Sequence, residues 1–294
     1  MRVGLDCMKC LLDRQYRLAS EQNDPEKAAL YMKDVCRILS EADPKWPAPV
    51  LTPIFNHAFE QYFDRVDKYE KIKIKSNEYL LAREDSLSKR IASADDPLLL
   101  ALKLARVGNY IDFGALGDSV AADKLDSLLE SAADDTVDTA EYKNLLNDLQ
   151  TAKTLLYMSD NAGELVLDKL FIAELQKQYP NIKITLAVRG YPIINDATIT
   201  DCQQVGIDKL VDVIENGSHI AGTYISDVSD EMREHLTTSD VLIAKGQGNC
   251  ETLVGCGLNV YYVFLCKCQL FRRTFNVPQL TGIFFNEQRM KVKF

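Results

Sequence analysis

Apolar residues recur at helical spacing through almost the whole first half of the chain. Leu30, Met32, Val35, Cys36 and Leu39 share one side of a helix that opens at Pro25 and runs to Glu41. Asp24 is placed to cap it, with Pro25 at the first helical position. The stretch 44–53 holds four prolines and interrupts the pattern. Helical spacing returns over 54–63, 69–87 and 98–106, and again over 119–131 and 140–152. No run in this half alternates strongly enough to predict a strand.

The pattern changes near residue 150. TLLYM (154–158) is a short apolar run that ends in Ser159, Asp160 and Asn161, and a helical pattern follows over 163–179. IKITLAV (182–188) is β-branched and ends in a polar loop, with a short helix over 196–205. Strands are also predicted at 210–214, 240–244 (DVLIA) and 259–265 (NVYYVFL), with a helix at 227–236. Short apolar strands alternating with helices imply βαβ units and a parallel sheet covered on both faces. The expected fold class is therefore α/β. A Rossmann-like α/β/α domain with a mostly parallel sheet is expected over 151–294, preceded by an all-helical domain over 1–150. No internal repeat or low-complexity segment is evident.

The chain has 294 residues, 47% of them hydrophobic, enough for a substantial core. Its net charge of −9 lacks the basic face that nucleic-acid binding requires. No apolar run is long enough to span a bilayer, and the amino terminus has no long apolar segment of the secretory kind. Neither nucleic acid nor membrane is an expected partner, the expected location is the cytoplasm, and the oligomeric state stays open. The eight cysteines then read as reduced thiols. Cys7-x-x-Cys10 and Cys266-x-Cys268 have spacings that could build a zinc or thiolate site. The alternative is that Cys7 and Cys10 are small packing residues on the first helix.

In open α/β sheets ligands bind beyond the carboxyl ends of the strands. Four successive strand ends carry SDNAGE (159–164), RGYPIINDAT (189–198), ENGSHIAGT (215–223) and KGQGNCET (245–252). They bring Asp160, Asn161, Glu164, Arg189, Asn195, Asp196, Lys245 and Asn249 to one rim. Asp160, Asn161 and Asp196 offer hard oxygen donors suited to Mg²⁺ or Mn²⁺. Lys245 offers a positive charge for phosphate. Gly246 and Gly248, flanking Gln247, leave backbone N–H groups open to an anion. Asn249 begins a short helix in this reading, and Glu164 is a candidate for a substrate hydroxyl or a proton transfer. Taken singly, each motif has a plainer reading: an Asx turn for DNAG, a helix cap for NDAT, a flexible loop for KGQGN. No GxGxxG follows the first strand, so a dinucleotide has little support.

SDNAGE, RGYPIINDAT and KGQGNCETL resemble, in order and spacing, the motifs of the DUF89 (ARMT1-like) family of metal-dependent damage-control phosphatases. LDCMKCLLDRQ resembles the opening of its archaeal and bacterial branch. ARVGNYID (105–112) and IKIKSNEYLL (72–81) resemble further segments of that branch, so the likeness covers nearly the whole chain. One departure is Cys250, where relatives often carry an aromatic residue. The resemblance implies a helical domain packed on a Rossmann-like domain, with a cleft between them. It implies a divalent metal (manganese, magnesium, cobalt or nickel) held by Asp160, Asn161 and Asp196. It also implies phosphate and substrate contacts from Glu164, Lys245 and the 246–249 loop, with Asn109 and Asp112 reaching in from the helical side. The implied activity is hydrolysis of phosphate monoesters of small metabolites. Water attack and an aspartyl-phosphate on Asp160 both remain open. A methyltransferase using S-adenosylmethionine and a non-catalytic phosphometabolite sensor are the alternatives.

Overall fold

The computed structural model describes residues 1–64, 69–111 and 121–290. Three amino-terminal helices, α1 (Leu5–Ser20), α2 (Pro25–Glu41) and α3 (Ala48–Glu60), enclose a small core of Leu11, Ala19, Tyr31, Val35, Leu51 and Phe55. Asp24 caps α2 as expected, accepting a hydrogen bond from the Lys27 N–H. The proline-rich stretch does not end helical structure. Pro49 lies in the first turn of α3, where the missing donor has no partner to lose, and Pro53 is carried inside the helix while Leu51 and Phe55 are buried.

The single helix expected over 69–87 is two, α4 (Glu70–Leu81) and α5 (Glu84–Ala92). The Arg83 side chain donates to the Tyr79 carbonyl, the acceptor a continuing helix would need, while the Arg83 N–H turns to Leu80. Helix α6 (Pro97–Gly108) is capped by Asp96, and α7 (Ala122–Glu130) and α8 (Thr139–Thr151) complete the first half.

The second half runs β1 (Thr154–Met158), α9 (Glu164–Gln178), β2 (Lys183–Val188), α10 (Ile199–Val205), β3 (Asp212–Glu215), α11 (Asp230–Thr238), β4 (Val241–Lys245), α12 (Gly246–Leu253), β5 (Val260–Leu265), α13 (Gln269–Phe275) and β6 (Gly282–Asn286). All six strands form one sheet in the order β3-β2-β1-β4-β5-β6. β1 to β5 pair in parallel, and β6 pairs antiparallel along β5. This edge strand was not anticipated: GIFFN lacks an alternating pattern, and its pairing with β5 is decided across the sheet. The fold class is α/β with a mostly parallel sheet. No helix among the described residues is long and apolar enough to cross a membrane.

Both faces of the sheet are buried, which is why β4 and β5 read as unbroken apolar runs. On β1, Leu155 and Tyr157 enter one core while Leu156 and Met158 enter the other, following the two-residue period of a strand. The first core continues without interruption past residue 150: Leu98, Leu102 and Leu104 of α6 and Leu145 and Leu149 of α8 pack with Leu165, Phe171 and Ile172 of α9. At its carboxyl end α6 presses so closely on α9 that a Cβ on Gly108 would lie 2.9 Å from Leu167 Cδ1. That approach carries the next residue, Asn109, to the edge of the sheet.

Because Leu104 is fully buried in this shared core, Leu104→Ala is expected to lower stability by about 3 kcal/mol in urea unfolding. A loss below about 1 kcal/mol would mean that α6 is not packed as described.

Candidate active site

The strand order reverses between β1 and β4, so their carboxyl ends open the crevice in which doubly wound sheets bind ligands. Asp160 and Asn161 leave β1 there, and Lys245 and Gly246 leave β4. The loop after β2 is hydrogen-bonded to the loop after β1. Ala197 N–H donates to Asp160 O at 2.7 Å, Ala162 N–H donates to Asn195 O at 2.8 Å, and Asn161 and Asp196 form an antiparallel bridge. This two-loop ribbon sets the side chains of 160, 161 and 196 together.

Arg189, buried at the end of β2, joins the pieces. Its Nε donates to Asp196 Oδ2 at 2.6 Å, its Nη2 to Asp160 Oδ1 at 3.3 Å and its Nη1 to Asn249 Oδ1 at 3.1 Å. The carboxylates of residues 160 and 196 therefore converge on one guanidinium. Asn109 Nδ2 donates to Asp160 Oδ2 at 2.9 Å and to Glu164 Oε2 at 3.1 Å, and Asn161 Nδ2 bonds the same two groups. Asn195 is buried beside Asn161. Its Nδ2 donates to Ile111 O and Asn161 Oδ1, which orients Asn161. Asp112 lies outside the described residues.

Two local devices shape the pocket. Gly246 adopts φ +80°, and a Cβ there would fall 2.0 Å from Asp160 Oδ2, so only glycine leaves room for that carboxylate. Ile194 adopts φ 49°, an outlier for a β-branched residue, inside the turn closed by Asp196 N–H to Ile193 O. Strain of this kind costs about 1–3 kcal/mol and persists where surrounding bonds over-determine the backbone, as they do at Asn195 and Asp196.

The fit of a divalent cation is decided by the donors. Among the described residues no three His, Cys, Asp or Glu side chains converge. The set here is two buried carboxylates and an amide carbonyl, all hard oxygens, and a carbonyl already accepting one hydrogen bond keeps a second lone pair. Asp160 and Asp196 are paired with Arg189, and Glu164 and Asp168 with Lys245. These residues fit the metal that the resemblance implies. Among the described residues no three thiols are grouped to hold a metal. Cys266 is buried in the apolar core, Cys10 is exposed on α1, and all eight thiols are free.

The structure departs from expectation at the 245–249 segment. Lys245 is fully buried, and its ammonium donates to Ala105 O (2.9 Å), Glu164 Oε1 (2.6 Å) and Asp168 Oδ1 (2.6 Å). Its three donors are all engaged, so it holds Glu164 rather than an anion. The helix begins at Gly246, not Asn249. Asn249 is buried one turn in, donating to Ser159 O and Lys245 O. Gly248 admits the Ala221 carbonyl, which would lie 2.4 Å from a Cβ, and Gln247 Oε1 accepts the Lys267 N–H at 2.6 Å. Gly248 and Gln247 therefore fix neighbouring loops.

Three further residues join this network, of which Asn77 lies in the IKIKSNEYLL segment and the other two in no motif. Lys267 follows β5, buried at the same sheet edge, and its Nζ donates to Asn109 O at 2.6 Å. The strand-end rule would have found it had it been carried one strand further. Asn77 on α4 accepts the Gly163 N–H at 2.5 Å and donates to Asp201 Oδ1, tying the β1 loop to the helices. Asp168 sits one turn beyond Glu164 on α9. Burial raises its pKa to about 6 against the pull of Lys245, and its Oδ2 has no hydrogen-bond partner. Burial lowers the Lys245 ammonium pKa, but the Asp168 and Glu164 carboxylates outweigh this and leave it above the ordinary lysine value.

A model of the damage-control phosphatase ARMT1-like domain matches residues 4–281. The chain belongs to that family. It is 29% identical to a damage-control phosphatase of Pyrococcus horikoshii over 95% of this chain and 96% of the relative. It is 31% identical to a damage-control phosphatase of Archaeoglobus fulgidus over 94% and 96% of the two chains. The crystal structure of a DUF89 family protein from P. horikoshii superposes with a TM-score of 0.81 at 27% identity, covering 98% of this chain and 99% of that one. These similarities identify the chain as a phosphatase and favour that reading over the methyltransferase alternative.

Gly246→Ala in this phosphatase is expected to displace the Asp160 carboxylate and reduce turnover at least about 100-fold, with circular dichroism unchanged. Retention of half the activity would show that the cradle is not needed. Asp168 gives a pH test. Its folded pKa lies above the ordinary carboxylate value, so its contribution favours folding at low pH and is lost as pH rises through about 6. The stability of the wild type relative to Asp168→Asn should fall by about 1 kcal/mol between pH 5 and pH 7 in denaturant titrations. A rise over that range would reverse the assignment.

Proposed function

We propose that the chain is a divalent-metal-dependent phosphomonoesterase for small phosphorylated metabolites, with Asp160, Asn161 and Asp196 as the metal ligands. The observation that carries this reading is the convergence of the Asp160 and Asp196 carboxylates on Arg189 at the β1/β4 crevice. Mg²⁺, Mn²⁺, Co²⁺ and Ni²⁺ all suit such a donor set. The bound cation supplies Lewis-acid polarisation of a phosphoryl oxygen. Relatives named damage-control phosphatases support damaged or surplus phosphometabolites as the substrate class.

The protein groups divide the remaining work. Arg189 sets the spacing of the two carboxylates. Lys267, buried with its ammonium on the Asn109 carbonyl, is the cation assigned to a phosphate oxygen. Lys245 holds Glu164 at a fixed angle, and Glu164 receives the Asn161 amide, so this pair orients a metal ligand. Asp160 accepts from Asn109, Asn161 and Arg189. The helices of residues 1–150, through Asn109 and Asn77, form the second wall of the cleft.

The test is a panel of phosphate monoesters assayed with metal-stripped protein reloaded with each of the four ions. Activity should vanish on chelation and return with at least one ion. Asp160→Ala and Asp196→Ala should each lose at least about 100-fold in kcat with the fold intact. Lys267→Met should raise KM about tenfold or more, the size of a lost charged hydrogen bond. Full activity of Asp196→Ala in the presence of chelator would defeat the metal assignment.

A further inference from the structure

Two aromatic rings stack beyond the carboxyl ends of β2 and β3, on the same edge of the sheet as the candidate site, in an arrangement the chemistry above does not use. Tyr191 and His219 stack face to face, with centroids 3.5 Å apart and planes at 11°. Both are exposed, Tyr191 with 45% of its surface. They come from different strand-end loops, Tyr191 from the loop after β2 and His219 from the loop after β3.

Both loops are anchored to the candidate site. Tyr191 follows Arg189 by two residues, so their Cα atoms lie within about 7 Å of each other. The Gly190 N–H donates to Asn216 Oδ1 at 3.0 Å, and a Cβ on Gly190 would lie 2.8 Å from Gly217 Cα, so the two loops touch next to Tyr191 in the chain. On its far side the His219 loop is pinned to α12. Thr223 N–H donates to Thr252 Oγ1, Thr223 Oγ1 donates to Asn249 Oδ1 at 2.8 Å, and that same Asn249 oxygen accepts from Arg189. The stack thus belongs to a span of chain held at one end by Gly190, the residue after Arg189, and at the other by Asn249, which accepts from Arg189.

Ligand sites combine a few polar groups with an apolar wall. The polar groups here are gathered at the phosphate end, while Tyr191 offers a flat apolar face stiffened by the imidazole behind it. A tyrosine has few rotatable bonds, and one already stacked loses little freedom when a ligand arrives. We propose that Tyr191, backed by His219, is the wall against which the leaving group of the phosphate ester packs, so that the enzyme prefers esters whose leaving group presents a ring face over compact aliphatic ones. This inference rests on the phosphatase reading for the identity of the ligand.

Phenyl, cyclohexyl and methyl phosphate test it, since they share the phosphate and differ in the ring. Tyr191→Ala should raise KM for phenyl phosphate about five- to tenfold with little change in kcat, and change methyl phosphate by less than about twofold. Tyr191→Phe should restore the wild-type KM for phenyl phosphate, and His219→Ala should produce a smaller rise. Cyclohexyl phosphate separates the kinds of ring: a parallel loss shows that a C–H face suffices, and its absence restricts the wall to aromatic groups. Equal losses on phenyl and methyl phosphate, or an unchanged KM for phenyl phosphate, overturn the proposal. Calorimetry with phenylphosphonate and methylphosphonate reads the same preference without turnover. A wild type that hydrolyses no ester with any metal removes the phosphatase reading alone. The wall then stands if Tyr191→Ala abolishes the preference for phenylphosphonate, and falls if the preference survives.

Discussion

The site depends on a short ribbon of backbone between two loops that are distant in sequence from any common helix or strand. Ala197 bonds Asp160, Ala162 bonds Asn195, and Asn161 bridges Asp196. Two like charges brought this close and taken out of water need compensation, or one of them would take up a proton. Arg189 provides it with a planar fork that reaches both carboxylates, which a lysine's point charge could not do with the same fixed geometry. The left-handed Ile194 and the empty Cβ position of Gly246 are local consequences of holding this ribbon in place.

A second buried charge group supports the first. Lys245, Glu164 and Asp168 are fully buried together, with the Tyr157 hydroxyl donating to Asp168 Oδ1 at 2.6 Å. Buried ion pairs contribute little net stability, because desolvation offsets much of their attraction, but breaking one leaves an uncompensated charge. Their effect here is positional. Glu164 is locked at the first turn of α9, where it receives Asn109 and Asn161 and so ties the helical wall to the metal ligands. The raised pKa of Asp168 is the mark of this arrangement, a carboxylate that burial penalises and one lysine only partly relieves.

Much of the fold was legible because its signals are local. The Asp24 and Pro25 start of α2, the strands β1, β2, β4 and β5, and the alternation of strand and helix after residue 150 all follow from spacing within a dozen residues. The misreadings occur where a distant or side-chain contact overrides spacing. Arg83 captures the Tyr79 carbonyl and divides one helix into two. Packing of Leu51 and Phe55 retains a helix through Pro53. β6 becomes a strand only because the edge of β5 is there to pair with it.

At the site, the sequence by itself determined which residue types arrive at the carboxyl edge, since the side chain following a strand is carried to that edge whatever the rest of the molecule does. Asp160, Asn161, Arg189, Asp196 and Lys245 are all there. What each of them touches was decided only by the tertiary structure. Lys245 turns inward to Glu164 and Asp168, Asn249 and Gln247 brace loops, and Lys267 and Asn109 enter from segments more than a hundred residues apart in the chain. The physical reason is that a buried charge goes to whichever partner packing brings within hydrogen-bond reach, and packing is a property of the whole core rather than of any stretch of sequence.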